Sequence, residues 1–99
     1  MRYDFEWDPV KAKQNLRKHT ISFQRAATIF RDPYMVSIFD EEHDETEERW
    51  VTIGIDEHHI LLVVSHTFRQ YSETTCTIRI ISARKATTRE RKQYEEGNS

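Results

Sequence analysis

Residues 76–94 place the tightest limit on what this chain can fold into. Their first part reads Cys-Thr-Ile-Arg-Ile-Ile-Ser and holds neither Gly nor Pro. A run so rich in β-branched residues favours a strand that is buried on at least one face. Because side chains alternate along a strand, we expect Ile78, Ile80 and Ser82 on one face and Arg79 on the other.

The second part of the same stretch predicts a helix and concentrates positive charge. Thr87 with Glu90 three residues later forms a capping box, so a helix should begin there. Residues 79–92 hold one acid, Glu90, and six cations: Arg79, Arg84, Lys85, Arg89, Arg91 and Lys92. The planar fork of an arginine matches a phosphate, so arginines fixed at a strand–helix junction can form an anion site. A solvated basic rim is the plainer interpretation, above all for the helical cations.

The length and composition predict one small domain. A chain of 99 residues buries a single modest core, so we expect one domain over residues 1–99 with a frayed end at residues 96–99. No stretch resembles a signal peptide, and the longest apolar run, residues 60–64, is too short to cross a bilayer. Cys76 is the only cysteine, which excludes an internal disulfide and suits a reducing cytoplasm.

The net charge of −2 conceals an uneven distribution. Residues 40–48 hold seven of the 17 acids and no Lys or Arg, so the rest of the chain has 15 cations against 10 acids. Residues 11–31 hold six cations and no acid. The basic regions suit a phosphate-rich partner. The acidic run is first of all a solvated loop, and otherwise a shield for the basic surface or a contact for a basic partner.

The order of the elements predicts an α+β fold. Strands are expected at residues 3–7, 34–39, 49–55, 60–68 and 78–82, and helices at residues 9–18, 23–31 and from 87 onward. Short connections favour antiparallel pairing. The fold class is therefore a small antiparallel β-sheet with two N-terminal helices and one C-terminal helix. Helices on one face of the sheet would leave the other face partly open for a site.

Two helices are predicted in the first third of the chain. Asp8 and Pro9 suit the N-cap and the first position of the first helix. Its thin apolar stripe, formed by Val10, Ala12 and Leu16, indicates a surface helix. The second helix, capped by Ser22, should face the core with a stripe at i, i+3, i+4 and i+7: Phe23, Ala26, Ala27 and Phe30.

Several short motifs occur together along the chain and form a recognisable set. The opening Phe-Glu-Trp-Asp at residues 5–8 and the Ile-Ser-Ala-Arg signature at residues 81–84 are specific in combination. Further positions belong to the same set: Lys11, Asn15, Leu16, Lys18, His19, Phe23, Ala26, Ala27, Phe30, Asp32, Pro33, Glu48, Arg49, Thr52, Ile53, Gly54, Leu62, Val63, Val64, Ile78, Arg79, Ile80, Lys85, Ala86, Glu90, Arg91 and Tyr94. Together they resemble the BrnT-type toxin family over nearly the whole chain.

The resemblance implies a function and a partner. It implies a RelE-like fold and the toxin of a bacterial type II toxin–antitoxin pair. The implied activity is endonucleolytic cleavage of RNA without a metal or cofactor, which inhibits translation. The implied partner is a BrnA-type antitoxin, expected in a heterotetramer with two copies of each chain. Operator DNA would be contacted only through the antitoxin, and no membrane is involved.

One position departs from the family pattern. Family members tend to have Gly where this chain has Thr20. A left-handed backbone at the end of a helix suits Gly and not Thr. Either the first helix ends differently here or Thr20 is strained, and the placement of His19 depends on which is true.

RNA cleavage without a metal sets three chemical requirements. A base takes the proton of the 2′-OH, cations stabilise the charge on the phosphorane-like transition state, and an acid protonates the leaving 5′-oxygen. The product would be a 2′,3′-cyclic phosphate. His19 is the first candidate for proton transfer, because histidine titrates near neutral pH; a helix-end role is its alternative. Arg79 and Arg84 are the candidates for charge stabilisation.

Other residues complete the predicted site. Glu48 is a candidate base or a partner that orients Arg49, with a structural salt bridge as the alternative. The predicted RNA contacts are Lys11, Lys18, Lys85 and Tyr94, although Tyr94 could equally pack against the core. His66 is a further candidate base, but its register with Leu62 and Val64 points it toward the core.

Two other classes of function stay open at this point. The histidines His43, His58, His59 and His66 show no HxH or HExxH spacing, so a metal nuclease is a poor alternative and no metal ligands are assigned. The cations also suit a nucleic-acid-binding module without catalysis. The second class that stays open is a co-repressor that acts only in complex with its antitoxin.

Overall fold

Five strands form one mixed sheet in the computed structural model, which describes residues 2–41 and 48–97. The elements are β1 (Arg2–Glu6), α1 (Pro9–His19), α2 (Phe23–Ala27), β2 (Val36–Phe39), β3 (Arg49–Ile55), β4 (Leu61–Gln70), β5 (Thr75–Lys85) and α3 (Thr88–Glu96), with a 3-10 turn (Thr28–Arg31) after α2. The strand order is β1-β5-β4-β3-β2. The predicted α+β class is confirmed, and the predicted β3 bounds agree with those observed.

The direction of β1 corrects the expected antiparallel sheet. β2 to β5 pair antiparallel, as their short connections require. β1 instead pairs with β5 in parallel, with Arg2 opposite Thr75 and Glu6 opposite Arg79. Both helices of the first third and three strands separate β1 from β5 in the chain. No short connection therefore fixes the direction of β1.

The helices lie on both faces of the sheet, which corrects the expectation of a single helical face. On one face, Phe23 of α2 belongs to the main core with Leu62 and Ile78. On the other face, Tyr94 of α3 packs against Ile53 together with Leu61 and Val63. α3 does not cover the whole of its face, because the polar residues near the β4–β5 turn form an open cavity there.

A bulge in β5 reverses the alternation predicted for that strand. Ser65 pairs with Ser82, but the next residue of β4, His66, pairs with Ile80. Ile81 is therefore the extra residue of a β-bulge. Beyond it, Ser82 points to the same face as Arg79, and the prediction that Ser82 lies beside Ile80 is wrong.

Asn15 of α1 makes three buried hydrogen bonds, and two of them join the helix to β5. Its amide nitrogen donates to the carbonyls of Ile21 and Ala83, each at 2.9 Å, and its amide oxygen accepts from the Ala83 N–H at 3.0 Å. β1 ends at Glu6, opposite Arg79, so on that side β5 has no strand beside it at Ala83. The Asn15 side chain supplies the bonds that a neighbouring strand would otherwise make.

The buried side of α1 differs from the predicted apolar stripe. Val10 and Leu16 are exposed, whereas Asn15 is buried and Ala12 is half-buried against the core. Asn15 faces inward because the buried N–H and C=O of Ala83, at the unpaired edge of β5, require hydrogen-bond partners that an apolar side chain cannot supply.

The helix caps form as predicted. Asp8 accepts from the Val10 N–H at 2.8 Å, and Ser22 accepts from the Arg25 N–H at 3.1 Å. Both bonds of the capping box between Thr87 and Glu90 are present.

Thr20 has a left-handed backbone, with φ 59° and ψ 26°. Of the two predicted alternatives, the structure shows the second: α1 ends at the expected place and the backbone of Thr20 is strained. The Thr20 N–H donates to the Leu16 carbonyl, and the hydroxyl donates to the carbonyl of His19 at 2.6 Å. These bonds hold a conformation that costs a β-branched residue about 1–2 kcal/mol.

The remaining expectations concern the termini, the acidic run and membranes. Glu96 is the last residue of α3 and Gly97 caps it. Residues 98 and 99, as well as residues 42–47 with His43, lie outside the described residues. Within residues 2–41 and 48–97, no helix is long and apolar enough to span a bilayer.

We expect Asn15→Leu to destabilise the protein by about 3 kcal/mol, because it leaves the buried N–H and C=O of Ala83 without partners. Urea unfolding followed by circular dichroism measures this loss. Gln14→Leu is the matched control, since it makes the same kind of change at an exposed neighbour and should cost less than about 0.5 kcal/mol. Equal stability of the two variants would contradict the role given to Asn15.

Candidate functional site

A row of four side chains crosses the sheet on the face that α3 covers in part. Glu6 pairs with Arg79, Arg79 with Thr67, and Thr67 with Arg49. Directly paired residues point to the same face, so all four side chains stand together. Strands lie about 4.8 Å apart, which sets the backbones of Arg49 and Arg79 about 10 Å from each other on either side of Thr67.

The row borders a cavity of about 500 Å³. A second row supplies Thr77 and Arg69, which pair with each other across β5 and β4. The residues that line the cavity are Glu6, Glu48, Thr67, Phe68, Arg69, Tyr71, Thr77 and Arg79. The cavity thus combines arginines, carboxylates and aromatic rings on an open sheet face.

Arg79 is available to an outside anion. Its Nη1 lies 3.6 Å from Oε1 of Glu6, and the two side chains are 46% and 55% exposed. An exposed pair at this distance contributes about 0–1 kcal/mol, which a phosphate can readily outcompete. Glu48 lines the same cavity and is exposed, so the predicted Glu48 and Arg79 are brought together.

Arg84 reaches the same face through the bulge but already has a carboxylate partner. Its Nη1 and Nη2 donate to the two carboxylate oxygens of Glu90 at 2.7 and 2.8 Å. This bidentate bond holds the pKa of Glu90 at about 2, well below its usual value. The fork of Arg84 therefore fastens the start of α3 to β5 instead of facing the cavity of Arg79.

The predicted lysines and His19 occupy other positions. Lys11, Lys18 and His19 line a separate cavity of about 250 Å³ beside Ile81 and Ser82. This cavity and that of Arg79 follow one another along β5. The expected single pocket of Arg79, Arg84 and His19 does not form. Lys85 is the exposed last residue of β5.

Tyr94 packs in the interior of the α3 face. Its hydroxyl donates to Oδ2 of Asp32 at 2.8 Å, and burial together with this bond raises the pKa of Tyr94 to about 12. The ring contacts the cluster that contains Ile53 and Val63. Tyr94 was predicted either to contact RNA or to pack against the core, and these contacts favour packing.

His66 lies on the opposite face of the sheet from the arginines. It is buried, its Nε2 is 2.7 Å from the Thr52 hydroxyl, and that hydroxyl is 2.8 Å from the Ser37 hydroxyl. Burial lowers the pKa of His66 to about 4. It lines an apolar groove of about 230 Å³ that also includes Phe30 and Trp50. The sheet separates His66 from Glu48 and Arg79.

Sequence reasoning missed six residues of the cavity: Glu6, Thr67, Phe68, Arg69, Tyr71 and Thr77. The alternation of polar Thr67 and Arg69 with His66 and Phe68 was a readable signal for two of them. Glu6 was not readable, because its place beside Arg79 follows from the parallel pairing of β1.

In the described part of the chain, no three side chains of metal-ligating types converge on one point. An α+β domain that offers arginines on an open sheet face has the chemistry that suits a phosphate-containing partner. The chain belongs to the family described as the ribonuclease toxin, BrnT, of type II toxin–antitoxin systems, whose sequence profile matches residues 7–90.

A solved structure supports the fold. The chain is similar to the crystal structure of the Brucella abortus ribonuclease toxin BrnT, with a TM-score of 0.63 and 18% sequence identity. The similarity covers 89% of this chain and 100% of that one. No curated protein sequence matches the chain significantly.

The burial of His66 predicts a loss of stability in acid. The folded chain keeps this imidazole neutral down to a pH of about 4, whereas the unfolded chain takes up a proton below its usual pKa of 6.5. The free energy of unfolding should therefore fall between pH 6.5 and pH 4. His66→Gln should show a smaller fall over this range in urea titrations, while His58→Gln, at an exposed position, should follow the wild type. Equal slopes for wild type and His66→Gln would contradict this account.

Proposed function

We propose that this protein is an endoribonuclease that cleaves RNA without a metal on the sheet face of Arg79, and that it inhibits translation in this way. The observation that carries the proposal is the row of Arg79, Thr67 and Arg49, which stands beside the carboxylate of Glu48. Membership of a ribonuclease toxin family supports it.

The two arginines of the row would hold the scissile phosphate. Each guanidinium donates two parallel hydrogen bonds to a phosphate, and their charge stabilises the phosphorane-like transition state most strongly. Rigid strands fix both backbones, which lowers the cost of orienting the side chains for reaction.

Glu48 would act as the general base. Its carboxylate takes the proton of the 2′-OH, the 2′-oxygen forms a bond to phosphorus, and the bond from phosphorus to the 5′-oxygen breaks. The departing 5′-oxygen takes a proton from water at the open mouth of the cavity. The products are a 2′,3′-cyclic phosphate and a 5′-hydroxyl end. No metal takes part in this scheme.

RNA that follows β5 would pass from the Arg79 cavity to the cavity of His19. Lys11 and Lys18 would contact phosphates there, and Lys85 would contact the backbone further along the strand. His19 is the alternative proton carrier, because it lies along this path. Arg84 would act by fixing α3 against β5, and Tyr94 by packing, in place of the direct roles first considered.

The protein would work within a toxin–antitoxin complex. We place residues 1–99 in one RelE-like toxin domain of the cytoplasm, neutralised by a BrnA-type antitoxin in a heterotetramer with two copies of each chain. Operator DNA would be bound only through the antitoxin. Membership of a family of type II toxins supports the existence of an antitoxin partner.

Cleavage of a defined RNA in the presence of EDTA tests the proposal. Wild-type protein should cut it, and Arg79→Ala should cut about 100-fold more slowly, since removing one donor of a transition-state site costs about that much. Arg91→Ala is the matched control, because Arg91 is exposed on α3 and is not among the residues that line the cavity, and it should cut at the wild-type rate.

Two further variants separate the candidate bases. Glu48→Gln should lose most of the activity, whereas His19→Ala should lose little if Glu48 is the base. Mass spectrometry of the products should detect the cyclic phosphate. Salt-sensitive binding without any product would contradict catalysis and favour a binding module. Equal rates for Arg79→Ala and Arg91→Ala would contradict the assigned site.

A further inference from the structure

Tyr71 is an exposed residue that lines the Arg79 cavity. It is the first residue after β4, it is 64% exposed, and it lines the cavity with Arg69 and Arg79. The described residues provide no hydrogen-bond partner for its hydroxyl. A single exposed aromatic residue indicates nothing by itself. Its place beside cations that suit a phosphate is the informative observation.

The turn holds Tyr71 in a fixed position. The Tyr71 N–H donates to the Thr75 carbonyl at 3.0 Å, and the Ser72 hydroxyl accepts from the Thr75 N–H at 3.1 Å. The side chain of Gln70 donates to the Ser72 carbonyl at 2.9 Å. The backbone under Tyr71 is thus tied on both sides, and a tyrosine ring has few rotatable bonds to lose on binding.

An aromatic ring next to arginines is a typical feature of sites for single-stranded nucleic acid. The cations contact the phosphates, and the ring stacks on a base, which is sequence-tolerant because every base has a flat face. A base inside a duplex is already stacked and paired, so it is not available to such a ring.

We propose that Tyr71 stacks on an unpaired base next to the phosphate held by Arg79, and that the site therefore selects single-stranded over duplex RNA. This inference rests on the function proposed above and adds to it the form of the RNA and the residue that selects it. Phe68 also lines this cavity.

Binding of a non-cleavable RNA tests the inference separately from catalysis. The probe is a short 2′-O-methyl RNA with 2-aminopurine as the base to be stacked, measured by fluorescence anisotropy and by quenching of the 2-aminopurine. Tyr71→Ala should weaken binding about 10-fold and remove most of the quenching. Tyr71→Phe keeps the ring and should stay within about 2-fold of wild type.

Tyr34→Ala is the matched control, because Tyr34 is 61% exposed and lies outside this cavity. It should bind as the wild type does. The same RNA annealed to its complement should bind wild type about 10-fold more weakly than the single strand does. Circular dichroism verifies that each variant is folded.

The outcomes distinguish this inference from the proposed nuclease function. Equal binding by Tyr71→Ala and wild type, or equal binding of duplex and single strand, would overturn the stacking role, and cleavage by wild type would then leave the nuclease function intact. Binding that depends on Tyr71 without cleavage of unmodified RNA would uphold stacking and overturn the nuclease function. Failure of the wild type to bind the RNA would overturn the stacking role, and cleavage of unmodified RNA would still decide the nuclease function.

Discussion

The buried amide of Asn15 is the contact on which the arrangement of this protein depends. β5 pairs with β4 along its length but with β1 only as far as Arg79, so its edge at Ala83 needs another partner. Asn15 bonds to both polar groups of Ala83, and α1 can therefore lie where a strand would otherwise continue. That packing fixes β5 from its middle to its end, and β5 carries Arg79.

Local sequence signals predicted most of the elements, because caps, alternation and breakers act over a few residues. Asp8, Ser22 and Thr87 were readable as caps, and the bounds of β3 were readable as a run of β-branched and aromatic residues. The direction of β1 and the bulge at Ile81 were not readable. Both depend on contacts between segments that lie far apart in the chain.

The site was predictable only in part, because it also depends on contacts between distant segments of the chain. Arg79 and Glu48 could be chosen by residue type, but their meeting depends on the register of three strands. Arg84 has the same chemistry as Arg79, and only the structure shows that Glu90 occupies its fork. Glu6 entered the site through the parallel pairing of β1, which no local pattern predicts.

The central claim is that RNA meets this protein on the row that contains Arg79 and Arg49. The most direct measurement is an NMR titration of the side-chain Nε–Hε signals of the arginines with a non-cleavable RNA. We expect the signals of Arg79 and Arg49 to shift and broaden while that of Arg91 stays in place. Shifts confined to α1 or α3, with Arg79 and Arg49 unmoved, would contradict it.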